Sequence, residues 1–439
     1  MDKLPDIRNS SDVTEAEFDE ERTFMGWVQD VRALGGISFL VLRDRYGTIQ
    51  VAAPKKKVEA AIFQSINTVS RESIVRIVGQ IKESKQAKNG WEVVPSRFDV
   101  LNPAGSPLPM GVIDKVNVEA DTRFNNRYID LRRPEARAVF EIKSNVVGAI
   151  GDYLRKNGFI EIFTPKIVAS GAEGGATLFP IKYFEGDAYL AQSPQLYKQM
   201  IMATGLDRVF EISPAFRAEP SDTVRHVSEF ISFDGELSYI SSQRDVMDVI
   251  EGCMQHIFST VKENCSELLE TLDVEVPLSV TPYPTVTYSE AVDLLAREGK
   301  EIGEMGDIDT EGEKLLGDLM EEKGHELYWI VEYPEESKPF YIMEKDDTPF
   351  SYSFDLDYKG QEISSGGQRE HRYDRLVTRM ERKGLVPNDF EFYLNAFAYG
   401  MPPHGGWGIG LERVVQNMLD LPNIREAILF PRDRNRLVP

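Results

Sequence analysis

The chain has 439 residues, 41% hydrophobic and 28% charged, a soluble globular mixture sized for two or three domains rather than one simple core. Its formal charge of −22 is unevenly held, because residues 22–103 carry 13 Lys+Arg against 7 Asp+Glu. That basic body leaves a polyanionic partner open despite the acidic total. Two cysteines, Cys253 and Cys265, with no CxxC, exclude a disulfide framework and a cysteine zinc site, and indicate a reducing cytoplasm. No run approaches eighteen apolar residues, so a membrane span is excluded. Residues 1–21, with eight acids against Lys3 and Arg8, are the reverse of a signal peptide.

From residue 23 to 101 the pattern is β. Strands are predicted at 23–31, 37–44, 48–53, 74–81, 91–94 and 98–101, with turns at Gly35-Gly36 and Tyr46-Gly47. One helix, 58–69, falls between the third and fourth. Such a region suits a small Greek-key barrel of the OB type. A generic β adaptor fits the same pattern, but net basicity and Phe39 favour oligonucleotide binding. The breaker-dense stretch 102–109 sets a boundary, giving an OB-fold domain over 1–103 and an irregular hinge over 104–134. A long amphipathic helix follows at 135–157, with Val139, Ile142, Val146, Ile150 and Leu154 at helical spacing. Strands and helices then alternate to the end, an α+β region over 135–439. An acidic helical insertion is expected at about 260–345, with 300–336 as its most solvated part.

No GxxxxGK[ST] occurs, and no GxGxxG follows a strand, so any nucleotide is held by another arrangement. Residues 208–237 read as two strands around a polar loop, 220–228. Period-two geometry places Arg217 and Glu219 on one face of the first strand, and Phe230, Ser232 and Asp234 on one face of the second. Arg225, His226 and Val227 sit in the loop, able to swing onto a ligand. A surface ion pair beside a core phenylalanine accounts for this segment equally well when it is taken alone. In 401–419, small residues bring backbone close to a ligand up to Gly410. A helix then begins near Leu411, with Glu412 and Arg413 in its first turns, and a helix N-terminus plus an arginine makes a phosphate site. Asp355, Glu362 and Ser365 are hard oxygen ligands of the kind Mg²⁺ takes beside substrate phosphates. Arg369 follows the next glycine pair, Glu173 precedes another, and Lys198 lies early in a helix.

Over essentially its whole length the sequence resembles the class II aminoacyl-tRNA synthetases, and within them the archaeal/eukaryotic type of aspartyl-tRNA synthetase. Residues 158–165, GFIEIFTP, match the family's first motif, the dimer-forming strand with its proline. Phe216-Arg217-Ala218-Glu219 through Asp234 match the second motif, and Gly406 to Arg413 the third. QSPQLYK at 192–198 and ISSGGQRE at 363–370 narrow the resemblance to aspartate.

The resemblance implies a mainly antiparallel catalytic sheet flanked by helices, behind an OB-fold anticodon reader, in a cytoplasmic homodimer. The implied reaction is attack of the L-aspartate α-carboxylate on the α-phosphorus of ATP, then transfer to the 3′-terminal adenosine of tRNA(Asp). An α-carboxyl titrates near ~3.5, so the nucleophile is already ionised and positioning outweighs proton transfer. Arg217 then holds the α-phosphate, Phe230 stacks on adenine, and Arg413 covers its other face or the γ-phosphate. Arg225 and His226 approach the terminal phosphates, and Glu219 bonds adenine or the tRNA end. Val227, Glu362, Gly410, Leu411 and Glu412 complete the ATP site. Glu362 and Ser365, with Asp355, are the Mg²⁺ ligands. Lys198 and Arg369 take the β-carboxylate; Asp234 and Glu173 take the α-ammonium, with Ser193, Gln195 and Ser365 nearby. Arg32, Phe39 and Gln50 are the anticodon contacts. Gln29 and Lys88 bear on whether tRNA(Asn) is charged too: strict members carry a tryptophan at the first of these positions, and Gln29 leans toward relaxed scope. Three rival readings are opposed by specific residues. Lys198 opposes an asparaginyl enzyme, and Arg217, Glu362 and Arg413 oppose a non-catalytic RNA-binding protein. The barrel opposes an amide-forming ligase.

Overall fold

A computed structural model describes residues 7–113, 118–169, 171, 177–220, 223–277, 280–303 and 305–439, so Glu173 lies outside the described residues. The chain divides into two compact units, Met1–Val118 and Glu119–Pro439.

The first unit is a closed five-stranded barrel. Glu21–Leu34 pairs antiparallel with both Ile37–Arg43 and Ile74–Glu83, while Thr48–Pro54 meets Trp91–Asn102 in parallel at Val51 and Val93. Alternation along each strand sends Phe24, Val28, Leu40, Leu42, Ile49, Val75, Ile77 and Val93 inward. The helix Ala60–Thr68 packs Ile62 and Ile66 onto that core. Trp91–Asn102 is one strand where the sequence predicts two. Gly79 pairs with Pro95 and Val78 with Arg97, so Ser96 is a bulge residue. The apparent break is Pro95, which lacks an N–H but leaves the strand continuous.

The second unit is built on an eight-stranded sheet. Its order is Thr285–Thr287, Leu327–Val331, Ser353–Tyr358, Glu362–Gln368, His404–Gly410, Glu229–Ser238, Arg208–Phe216 and Ile160–Glu161. Neighbours are antiparallel except at the two ends, where Thr285–Thr287 and Ile160–Glu161 pair in parallel. Helices Pro134–Lys156 and Gln243–Asn264 cover one face. Their apolar stripes (Val139, Ile142, Val146; Ile250, Met254, Ile257) share a core with Phe210, Phe233 and Trp407.

Two expectations change here. Part of the expected irregular hinge is helical, at Ala120–Asn125 and Arg127–Asp130. These helices are too short to show a period. Tertiary bonds hold them: the buried Arg127 donates to Asp130 at 2.6 Å and to the carbonyls of Glu426 and Ile428 at 3.0 Å. The acid-rich stretch 300–336 is also not one solvated helical face. Thr310–Glu321 is a helix, but Leu327–Val331 is a fully buried strand of the main sheet. Averaging charge over that window hid an LYWIV run that is apolar or aromatic throughout.

Candidate active site

A cavity of about 370 Å³ opens at the Phe216–Glu229 end of the hairpin, over the Glu362–Gln368 and His404–Gly410 strands. Phe230, Ser232 and Asp234 line it from alternate positions, as the period-two reading predicts, while Phe233 faces the core. Arg217 and Glu219 also line it, but not from a shared strand face. The strand ends at Phe216, and Arg217 adds one last rung, its N–H donating to Ser228 O at 2.9 Å. Glu219 then turns back, its N–H on Arg217 O at 2.7 Å, just before Pro220. The Arg217 guanidinium stands 5.3 Å from the Phe230 ring centre, a cation–π pair on the cavity wall.

Three more cations surround this wall, all with internal partners. Arg225 bonds Glu313 at 3.0 Å and Gly360 O at 3.3 Å. Arg413, in the first turn of Leu411–Met418, donates to Glu362 O at 2.7 Å. Lys338, a wall residue that the sequence reading missed, holds Asp355 at 2.7 Å. His226 Nδ1 lies 2.7 Å from Thr223 Oγ1. Burial lowers its pKa against the pull of Glu219, and Arg413 and Arg225 add to the lowering. Val227 and Gly410 line the cavity. Leu411 is instead part of the core. Glu412 reaches the wall, but its carboxylate accepts from Ile231 N–H at 3.0 Å and Lys143 at 2.7 Å, so it ties the helix to the hairpin.

Asp355 and Ser365 face each other across two paired strands. The Glu362 side chain is 37% exposed toward the cavity, yet its packed setting and then the charge of Asp355 push its carboxyl up to about 7. Asp355 itself is buried, and its Oδ1 lacks a hydrogen-bond donor among the described residues. No group of three or more His, Cys, Asp or Glu that could hold a metal ion occurs among the described residues. Two carboxylates and a hydroxyl nevertheless fit Mg²⁺, which keeps waters and takes its remaining ligands from phosphates.

At the other end lies a buried charge network. Lys198 is 2% exposed and stands one layer behind the wall, bonded to Asp234 and to Trp407 O, both at 2.7 Å, with Glu236 at 3.6 Å. Arg369 is on the wall, bonded to Glu236 at 2.9 and 3.3 Å. Ser232 Oγ donates to Asp234. Burial alone drives the Glu236 carboxyl upward, but Arg369 and Lys198 outweigh it and hold the group below its usual range. Sequence reasoning singled out both cations and missed Glu236, the anion between them. Its signal was the Asp-Gly-Glu alternation, which places Asp234 and Glu236 on one face. A Cβ on Gly406 would come 2.0 Å from the Glu236 carboxylate. It would also come 2.2 Å from the Gly235 carbonyl oxygen, so packing against the neighbouring strand already requires a glycine here.

His404 is fully buried behind this network. Burial lowers its pKa to about 4, assisted by Arg369 and His371 and opposed by Glu236 and the Pro402 carbonyl. The unfolded chain therefore binds an extra proton between the usual histidine value and about 4. Stability contributed by the neutral ring is complete above that window and is lost as pH falls through it. Urea unfolding at pH 5 against pH 7 should show a loss of about 2 kcal/mol from this group, and His404→Gln should remove that slope.

On the barrel, Phe39 pairs with Arg32 on one neighbouring strand, and Gln50 pairs with Val41. Alternation therefore puts Arg32, Phe39 and Gln50 on one outer face. Gln50 donates to Glu92 at 2.8 Å and Arg32 to Asp30 at 3.0 Å. Gln29 is the extra residue of a bulge between Val28 and Asp30. Lys88 is exposed in the turn before Trp91, which Asn89 ties to Thr48 O at 2.8 Å.

Residues 119–434 match the tRNA synthetases class II (D, K and N), and residues 23–101 match the OB-fold nucleic acid binding domain. A Pyrococcus abyssi protein named aspartate–tRNA(Asp) ligase is 52% identical over 432 residues, covering 98% of this chain and 99% of that one. One from Methanopyrus kandleri, named aspartate–tRNA(Asp/Asn) ligase, is 50% identical over 430 residues, with 98% and 99% covered. The crystal structure of asparaginyl-tRNA synthetase from Pyrococcus horikoshii complexed with asparaginyl-adenylate superimposes with a TM-score of 0.92 at 32% identity, covering 98% of this chain and 99% of that one. A charged cavity on an antiparallel sheet, its order of motifs and these likenesses agree: the chain belongs to the class II tRNA synthetases of the D, K and N group.

Proposed function

We propose that this chain is an aspartate–tRNA ligase, joining L-aspartate to tRNA(Asp) through an aspartyl-adenylate formed from ATP. The observation that carries the choice of amino acid is the paired burial of Lys198 and Arg369 at one end of the cavity. Aspartate and asparagine have nearly equal size, so charge has to separate them. Both cations, however, already have anionic partners within the fold, Asp234 and Glu236. Binding is then an exchange of partners. The α-ammonium of the incoming amino acid draws on Asp234, and Lys198 turns its charge to the β-carboxylate beside Arg369. Asparagine supplies the ammonium without the second anion, and leaves a buried cation uncompensated.

For the first step, Arg217 neutralises charge developing on the α-phosphate while Phe230 supports the adenine ring. Arg413, His226 and Arg225 serve the distal phosphates, the last after leaving Glu313. Glu362 and Ser365, backed by Asp355, would hold Mg²⁺, which when bound screens the triphosphate. No base is needed, since the attacking carboxylate is ionised. Amino-acid-dependent ATP–pyrophosphate exchange tests the reading: aspartate should drive exchange and asparagine should not, and the opposite order would refute it.

The barrel reads the anticodon, with Phe39 as a stacking plate. Phe39→Ala should cut tRNA aspartylation about tenfold to a hundredfold, from the ~1–3 kcal/mol value of one base stack, with pyrophosphate exchange unchanged. Equal loss of both would count against this division. The anticodons of tRNA(Asp) and tRNA(Asn) differ in the third base, C against U. A glutamine amide can accept from one and donate to the other, so Gln29 favours charging of both; aspartylation of the two transcripts side by side decides it. The edge strand of the first motif leaves Phe163 82% and Ile160 48% exposed. An exposed apolar edge of this kind is what a second copy would cover, and that exposure supports the homodimer reading.

A further inference from the structure

Behind the cavity wall runs a buried hydrogen-bond chain that the reaction scheme above does not use. It starts at a backbone carbonyl, Pro402 O, which can only accept. His404 Nδ1 lies 2.9 Å from it and must carry the proton. His404 Nε2 is then an acceptor, and Gln199 meets it at 3.1 Å with its amide nitrogen. That choice turns Gln199 Oε1 the other way, where it accepts from Tyr393 OH at 3.1 Å and from Gln195 Nε2 at 2.8 Å. His404, Gln199, Tyr393 and Gln195 are all buried. Each link fixes the polarity of the next, so two amides with no intrinsic preference for either orientation have only one. Gln195 reaches the cavity. Its nitrogen is drawn to Gln199, so the amide is held in one sense, with its oxygen on the opposite side where a ligand can use it as an acceptor.

We propose that Gln199 and His404 are positioning residues, which set Gln195 as an acceptor for the α-ammonium of the amino acid by transmitting the fixed polarity of the Pro402 carbonyl. A flipped Gln195 would aim N–H groups at a cation. The low pKa of His404 keeps the imidazole neutral at physiological pH, so the sense of the chain holds there. This inference rests on the amino-acid site proposed above, at the end occupied by Asp234 and Ser193.

The test uses the full chain in ATP–pyrophosphate exchange. Gln199→Met keeps length and removes both polar atoms; Gln199→Glu keeps an acceptor oxygen toward Gln195. Gln199→Met should raise KM for L-aspartate at least tenfold, consistent with a hydrogen bond to a charged group, while KM for ATP stays within twofold. Inhibition by succinate, which has both carboxylates but no ammonium, should be unchanged. Gln199→Glu should stay within about threefold of the parent in KM for aspartate. The proposal is overturned if Gln199→Met leaves that KM alone, or if it weakens succinate as much as aspartate. Should Gln199→Met not fold, neutron diffraction of the parent protein decides: one deuteron of the Gln195 amide must lie on the bond to Gln199 Oε1, and finding the Gln195 oxygen in that place, with the amide nitrogen turned to the cavity, refutes the idea. Absence of any aspartate-dependent exchange in the parent would instead sink the function proposed above, leaving the orientation of Gln195 still measurable.

Discussion

Arg217→Ala should lower aspartate-dependent ATP–pyrophosphate exchange by at least about a thousandfold, the upper range for removing one charge-stabilising donor. Arg217 lines the cavity over Phe230, at the first residue beyond the hairpin strand. Its backbone is anchored by the bond to Ser228 O and its guanidinium rests against the Phe230 ring, so the charge is placed on the wall before substrate arrives. Preorganisation of this kind acts on the transition state, and the loss should fall on kcat rather than on KM for ATP. Arg217→Lys should recover little, because a point charge lacks the planar fork that two phosphate oxygens can share. A kcat within tenfold of the parent in Arg217→Ala would show that charge at the α-phosphate is stabilised elsewhere.

Lys198→Leu should have the second large effect, on preference and stability together. The preference for aspartate over asparagine should fall about a hundredfold or more, since Arg369 alone then faces Asp234, Glu236 and the ligand. Unfolding free energy should drop by about 3–5 kcal/mol, the cost of leaving buried anions without a partner. A second substitution separates the two effects. Adding Glu236→Gln restores the charge balance around Arg369, and should return much of the stability without returning the preference. Urea melts and exchange kinetics with the two amino acids read these quantities independently. A Lys198→Leu protein that still prefers aspartate as strongly as the parent would remove the electrostatic account of specificity.

Much of the fold was written in local pattern. Period-two alternation gave the barrel strands, and helical spacing of Val139, Ile142 and Val146 gave the long helix to within a residue at each end. The pairing of Phe230, Ser232 and Asp234 on one face followed from the same geometry. Where the pattern was broken by a single residue, or too short to have a period, the reading failed. Pro95 split one strand into two; Ala120–Asn125 and Arg127–Asp130 passed for an irregular hinge; the buried Leu327–Val331 strand disappeared into an acidic average.

The site divides in the same way. Sequence alone determined which residue types gather: the arginines for phosphate, the aromatic plate, the two cations for a diacid, and the basic barrel. Residue identity is a local property, and its chemistry travels with it. Only the tertiary structure decided which of those groups are already paired. Glu236 neutralises Arg369 and approaches Lys198, Glu412 ties a helix to a strand, and Gln199 with His404 gives Gln195 its sense. These partnerships join residues up to 205 positions apart. They depend on burial and angle, which no short-range periodicity encodes.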